Sequence, residues 1–211
     1  NYLYYSKHLH ILLAFPNTYF ADLNPKGKFV NLESVTNEVK LMLDPNADPF
    51  AAAPADAVPA KFGASDVMDL HRVQLLNAYT CTECGRCTAA CPANLTGKKL
   101  SPRKIMMDTR DRLEEVGRNI DANKGTFVPD GKTLLDNYIT REELWACTSC
   151  NACVEECPVS ISPLSIIMDM RRFLVMEQSA APMSVNAMMT NIENNGAPWQ
   201  YSQQDRLNWK D

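Results

Sequence analysis

Cys81-Thr82-Glu83-Cys84-Gly85-Arg86-Cys87-Thr88-Ala89-Ala90-Cys91-Pro92 returns later in the chain as Cys147-Thr148-Ser149-Cys150-Asn151-Ala152-Cys153-Val154-Glu155-Glu156-Cys157-Pro158. Both copies read C-x2-C-x2-C-x3-C-P, and together they hold all 8 cysteines of the chain. This spacing wraps thiolates around a cubane iron–sulfur cluster. Iron is a fitting metal because thiolates are soft donors that bind in their deprotonated form. Two readings compete. Four disulfides are disfavoured because tight C-x2-C pairs are a metal-binding pattern. A structural zinc site would take four ligands, often from two well-separated C-x2-C pairs. Here three cysteines crowd together and a fourth precedes proline, which fits a cubane better.

Working outward, each run is followed by a serine–proline pair. Ser101-Pro102 and Ser162-Pro163 each combine an N-cap with proline at the first helical position. Aligning 101–113 with 162–174 leaves serine, proline, isoleucine, methionine, aspartate, arginine and leucine identical. The repeat therefore covers cysteine loop plus following helix and predicts a pseudo-twofold core. The first such helix is expected over 102–116, with Ile105, Met106, Thr109 and Leu113 inward, and the second over 163–176. Fifty-five residues, 92–146, separate the runs. They carry turns at Asn123-Lys124-Gly125 and Pro129-Asp130-Gly131-Lys132, then the capping box Thr140-Arg141-Glu142-Glu143, which starts a short helix into the second run. A spacer of this kind predicts a mostly α architecture. Alternating β-branched runs are scarce after Phe62.

Upstream, Ser65 is expected to cap a helix over 66–78, with Val67, Leu70, Val73 and Leu76 or Asn77 on one side and His71 on its polar face. Residues 32–43 read as a short helix or strand, with Leu32, Val35, Val39 and Met42 near a helical stripe. Four prolines in 44–59 forbid a regular helix and predict an extended linker. At the start, Tyr4-Tyr5-Ser6-Lys7-His8-Leu9-His10-Ile11-Leu12-Leu13-Ala14-Phe15 is aromatic and apolar, like a membrane-interface segment or a docking helix. Downstream, a helix is expected near 183–192, broken at Gly196-Ala197-Pro198-Trp199. Trp199 and Trp209 are candidates either for docking or for covering the core. The organisation expected is an N-terminal segment 1–43, a linker 44–64, a two-cluster domain 65–178 and a tail 179–211.

Composition adds limits. The 211 residues are 45% hydrophobic and 22% charged, an ordinary globular balance. The net charge of −4 gives nucleic-acid binding no support. No apolar run is long enough to span a bilayer, and no secretory signal is visible. The chain begins with Asn1, and the expectation is that more polypeptide precedes it. No G-x-G-x-x-G marks a flavin or nicotinamide site, and no nucleophile has a paired histidine. The chain reads as an electron conductor with no substrate-converting site of its own.

In two-cluster proteins with this motif the fourth cysteine of each run serves the other cluster. The expected ligand sets are therefore Cys81, Cys84, Cys87 and Cys157 for one [4Fe–4S] cluster, and Cys147, Cys150, Cys153 and Cys91 for the other. Gly85 and Ala152 lie between the second and third ligands, where a small residue would let backbone N–H groups approach sulfur.

The two runs with their Ser-Pro helices resemble the alpha-helical ferredoxin family, which includes iron–sulfur subunits of heterodisulfide reductase, anaerobic glycerol-3-phosphate dehydrogenase and glycolate oxidase. The likeness covers 65–176. Asn194-Asn195-Gly196-Ala197-Pro198-Trp199 resembles the Gly-x-Pro-Trp segment that larger members carry before a cysteine-rich domain; no cysteine follows Cys157 in this sequence. Ser6-Lys7-His8-Leu9-His10-Ile11 resembles the end of a cytochrome b domain of the nitrate reductase gamma-subunit type. That resemblance implies His10 as a haem b axial ligand, with His8 the alternative. Together these features are similar to membrane-bound fusions linking an electron-transferring flavoprotein to menaquinone. They imply a flavoprotein or cysteine-rich heterodisulfide-reductase-like partner, a quinone, and a place on the cytoplasmic face of the inner membrane. The competing function is an iron–sulfur subunit of a soluble dehydrogenase or heterodisulfide-reductase-like complex.

Overall fold

A computed structural model describes residues 2–3, 6, 8–45 and 61–210. Most of the expected linker, 46–60, lies outside the described residues. Secondary structure is helical, and among the described residues β pairing is limited to one isolated bridge between Leu135 and Ile139. The chain forms two units, 1–173 and 174–211.

In the first unit, α1 (Leu9–Tyr19) packs on α3 (Arg72–Thr80). Between them in sequence comes α2 (Glu33–Leu43), the helical outcome of the ambiguous 32–43 stretch, which buries none of its residues. The helix expected over 66–78 is interrupted. Asp66, not Ser65, provides the cap, accepting from the Val67 N–H at 2.8 Å over a single 3₁₀ turn, Val67–Asp69. Leu70 and His71 are extended, and α3 starts afterwards. The buried face of α3 is Gln74, Asn77, Ala78 and Thr80, whereas Val73 is exposed. These polar side chains can be buried because they find partners: Gln74 Nε2 donates to Asp169 Oδ2 at 2.7 Å, and Thr80 Oγ1 to Leu76 O at 2.8 Å. His71 is exposed, in keeping with a polar-face role.

The repeat is visible in order. The first cysteine run carries α4 (Arg86–Ala89), then α5 (Pro92–Leu95) and the long α6 (Pro102–Ala122). The second is entered by an irregular turn, α7 (Leu134–Asn137), and α8 (Arg141–Ala146). It carries α9 (Ala152–Glu155) and leads into α10 (Pro163–Arg172). Ser101 and Ser162 both act as side-chain caps with proline in the first turn. The helix α6 runs past the expected end at 116, to Ala122. Its partner stops short of 176, because Phe173–Glu177 widens into a π turn.

The centre of this unit is where α6 crosses α10. Ile105 and Met106 from one, and Ile166, Ile167 and Met170 from the other, are nearly or wholly buried. Each such side chain contributes about 1.5–3 kcal/mol when taken from water. The short helices α4 and α9 pack on each other, which brings the two cysteine runs side by side.

One charged residue is locked into this framework. Arg112 is fully buried and takes the place in α6 where further apolar packing would be expected. Its guanidinium donates to Asp66 (Nη2–Oδ2 2.8 Å), to Asp130 (Nη1–Oδ2 2.5 Å) and to Lys132 O at 2.8 Å. Asp66 also accepts from the Leu134 N–H at 3.1 Å. A single side chain thus ties α6 to the segment before α3 and to the 130–134 loop.

The second unit contains α11 (Met183–Asn195), which ends on Gly196 in the left-handed conformation (φ +63°). Arg206 Nη2 bonds Asn195 O at 3.0 Å and Gly196 O at 2.7 Å, folding the last turn back onto that cap. Trp199 and Trp209 are 67% and 81% exposed, so neither covers a core.

Candidate iron–sulfur site

Each C-x2-C stretch repeats the same backbone device. Glu83 and Ser149 both have φ +56°, so the chain turns left-handed one residue before the second cysteine. The turn aims the Ser149 N–H at Cys147 Sγ, 3.4 Å away, and the Glu83 N–H makes the matching bond to the Cys81 thiol. Two residues on, Gly85 has φ +82° and Asn151 φ +61°. Asn151 is therefore the partner of Gly85. Ala152, expected from the sequence to be its counterpart, is the first residue of right-handed α9. Asparagine is among the few side chains that enter the left-handed region readily. A Cβ at Gly85 would meet only Arg103 Nη1 at 3.9 Å, so backbone conformation, not space, asks for glycine there.

The first run opens onto a small cleft. Cys81, Cys84, Cys87, Cys153 and Cys157 all line it. Met106, Pro158, Val159, Ile161 and Pro163 make the wall apolar, and Arg86 and Arg103 are its charged members among the described residues. Cys157 Sγ accepts from the Ile161 N–H at 3.3 Å. All eight cysteines are free thiols, with Cys84 and Cys150 exposed and Cys91 and Cys153 buried.

Burial pushes the Cys81 thiol up, and the neighbouring Cys87 and Cys157 add to the shift. Cys87 is raised by burial too, with Cys157 and Cys84 contributing. In the second run burial raises Cys147, with Cys91 and Cys150 among its neighbours. Cys153 is pushed up to about 12 by burial and then by Cys147, Cys87, Cys91 and Cys150. Exposed Cys84 goes the other way, because the Arg86 N–H donates to it. A set of buried thiols this close resists ionisation until a cation supplies the missing charge. The donor set fits a multinuclear iron centre.

Residues 80–161 match the family model of a 4Fe-4S dicluster domain. A CoB-CoM heterodisulfide reductase subunit of Methanosarcina acetivorans is 29% identical over 56% of this chain and 60% of its own length. The cysteine region is thus a 4Fe-4S dicluster domain, and the chain is similar to the heterodisulfide reductase subunits C and D. Longer relatives cover more of it. "Probable iron-sulfur-binding oxidoreductase FadF" of Bacillus subtilis is 30% identical over 100% of this chain and 31% of its own. "EtfAB:quinone oxidoreductase" of Syntrophomonas wolfei is 31% identical over 96% of the chain and 30% of its own. "Probable membrane-anchored ferredoxin" of Chromohalobacter salexigens is 34% identical over 73% and 25%. The chain thus spans between a quarter and a third of the length of these last three.

His10 lies half-buried in the first turn of α1, and His8 is exposed just ahead of it. The same helix reaches the ferredoxin core at its other end. Asn17, 1% exposed, donates Nδ2 to Val159 O at 2.8 Å, in the loop after Cys157. Ile11, Phe15 and Tyr19 are exposed on α1 at intervals of four, so its outer face is an apolar stripe. Among the described residues no helix is long and apolar enough to cross a membrane.

Sequence reasoning overlooked Asn17, Arg112, and the arginines beside the cysteine runs. Arg110 and Arg171 sit at the same step after Ser101 and Ser162, a match the repeat alignment already contained. Their opposite surroundings required the fold.

Proposed function

We propose that this chain is the electron-relay segment of a membrane-associated oxidoreductase, passing electrons through two [4Fe–4S] clusters between a flavoprotein and the quinone pool. The observation that carries this reading is the doubled thiol site, in which two cysteine runs with matching left-handed turns lie side by side. Clusters bound there would accept and donate single electrons. The protein's own part is to hold the thiolates, donate N–H groups to them from residues such as Ser149 and Ile161, and exclude water with Met106, Val159 and Ile161.

Neighbourhood supports the crossed ligand sets, with Cys153 lying beside both groups of thiols. Cys157 belongs with Cys81, Cys84 and Cys87, whose cleft it lines. Cys91 belongs with Cys147, Cys150 and Cys153, whose thiols it adjoins. Such crossing makes each half depend on the other for its metal. The membrane side of the reading draws on the relatives named for quinone and for a membrane anchor, and on the apolar stripe of α1. In the same reading α1 links the relay to a haem b held by His10, on the cytoplasmic face of the membrane. The hydrogen bond from Asn17 to the loop after Cys157 would then couple the helix bearing His10 to the first cluster.

Iron analysis and electron paramagnetic resonance of the reduced protein test the relay. Two interacting cubane signals with about eight iron atoms per chain are expected, given four cysteines for each cluster. Zinc in place of iron would overturn the reading. Cys157→Ser should damage the signal that Cys84→Ser damages. Loss of only the signal that Cys150→Ser damages would overturn the crossed ligand sets. Haem absorbance in the membrane-bound protein, abolished by His10→Ala, tests the haem ligand, and persistence of that absorbance would refute it.

A further inference from the structure

The two halves of the repeat place an arginine at the same point beside their cysteine runs and then treat its charge differently. Arg110 Nη1 lies 2.7 Å from Glu83 Oε1, and its Nε lies 3.6 Å from Asp111 Oδ1. Glu83 is the residue immediately before Cys84, so the charge is neutralised at the edge of the first run. The corresponding position before Cys150 is Ser149, which carries no charge.

Arg171 accordingly makes another set of contacts. Its Nε donates to Leu144 O at 3.0 Å, and its Nη2 donates to Leu144 O at 2.6 Å and to Cys147 O at 2.5 Å. The guanidinium carbon stands 4.9 Å from the centre of the Trp145 ring. The side chain is half-buried, and among the described residues no carboxylate forms an ion pair with it. A guanidinium keeps its proton in such surroundings. The result is a fixed positive charge, bonded to the backbone of the first cysteine of the second run, with no carboxylate paired to it among the described residues.

We propose that Arg171 raises the reduction potential of the cluster held by the second cysteine run, while Arg110, neutralised by Glu83, leaves its own cluster nearly unshifted. The inference rests on the reading of the two runs as cluster ligands. Adding an electron makes a cluster more negative, so a nearby uncompensated cation favours the reduced form. Net charge and burial are among the properties that set such potentials. Partial burial matters, because a charge in a low-dielectric setting acts far more strongly than one in water. Arg86 and Arg103 at the first cleft are exposed, and mobile ions screen exposed charges. The consequence is a relay whose two structurally equivalent sites are held at potentials tuned by different means.

The test is a redox titration of the full iron–sulfur protein followed by electron paramagnetic resonance, with the signals assigned to the runs through Cys84→Ser and Cys150→Ser. Arg171→Gln keeps a donor for the carbonyls but removes the charge, and should lower the midpoint of the second cluster only. Arg171→Lys keeps the charge and loses the forked geometry, and should hold the midpoint near its original value. Ser149→Glu leaves Arg171 in place and supplies the missing carboxylate, and should lower the same midpoint. Glu83→Ser removes the closest countercharge of Arg110, leaving only the longer pair with Asp111, and should raise the midpoint of the first cluster. If Arg171→Gln does not retain iron, the last two variants decide the matter. Unchanged midpoints with both signals intact would overturn the inference and leave the cluster reading standing. Absence of cubane signals from the unaltered protein would overturn both.

Discussion

Asn17 in the N-terminal helix donates its side-chain amide to the backbone carbonyl of Val159, 142 residues further along the chain and 2.8 Å away. The residue is buried, and its Oδ1 has no partner among the described residues. One end of the amide thus anchors α1, and the other is an uncompensated polar group. Replacing Asn17 by alanine should leave Val159 O unbonded and loosen α1 from the loop after Cys157. The expected loss is about 1–2 kcal/mol in urea unfolding. Hydrogen exchange should quicken in 159–161 and in α1, and unchanged protection at Ile161 would count against this linkage.

Arg112 offers a larger effect. Its removal strands Asp66 and Asp130 against one another at the junction of α6, the 3₁₀ turn and the 130–134 loop. Arg112→Met should destabilise the protein by about 3 kcal/mol, since breaking a buried pair from one side leaves uncompensated charge. Replacing all three residues together by apolar ones of similar volume should recover much of that loss. Thermal unfolding of the single and triple variants makes the comparison.

The paired left-handed turns predict opposite responses to similar changes. Asn151→Gly should be tolerated with iron content unchanged, because glycine enters φ +61° without strain. Asn151→Val should be costly, because a β-branched side chain resists positive φ. The same logic makes Gly85→Val damaging at φ +82° even though open space surrounds the position. Iron bound per chain after purification checks all three variants.

Tyr138 gives the alkaline limit of the fold. Burial, helped by the Glu115 carboxylate that accepts its hydroxyl proton, raises its pKa to about 12. An unfolded tyrosine ionises near 10. The native state therefore holds the proton more tightly, and the stability this contributes is complete below pH 10. It should be lost as pH rises from about 10 to 12. Ultraviolet difference titration of the protein against Tyr138→Phe should place the tyrosinate signal near the upper value. A signal centred at 10 would show that Glu115 does not hold the hydroxyl.

The doubled cysteine spacing determined the chemistry of this protein by itself, since thiolates in that order have few uses other than wrapping a cluster. The helical class was equally legible, because a cap followed by proline acts locally. So were the capping box at Thr140 and Glu143 and the inward face of α6 at Ile105, Met106 and Thr109. Local signals failed where long-range contacts prevailed. The 66–78 helix breaks at extended Leu70 and His71 while Asp66 bonds Arg112, and α3 buries Gln74 because Asp169 on α10 awaits it. Asn151 could have been matched to Gly85 by register alone, but its left-handed conformation is a property of the folded loop. The chain order also could not reveal that Arg110 is neutralised and Arg171 is not. That difference depends on which side chain stands opposite each arginine once α6 and α10 have crossed, and only the tertiary structure decides it.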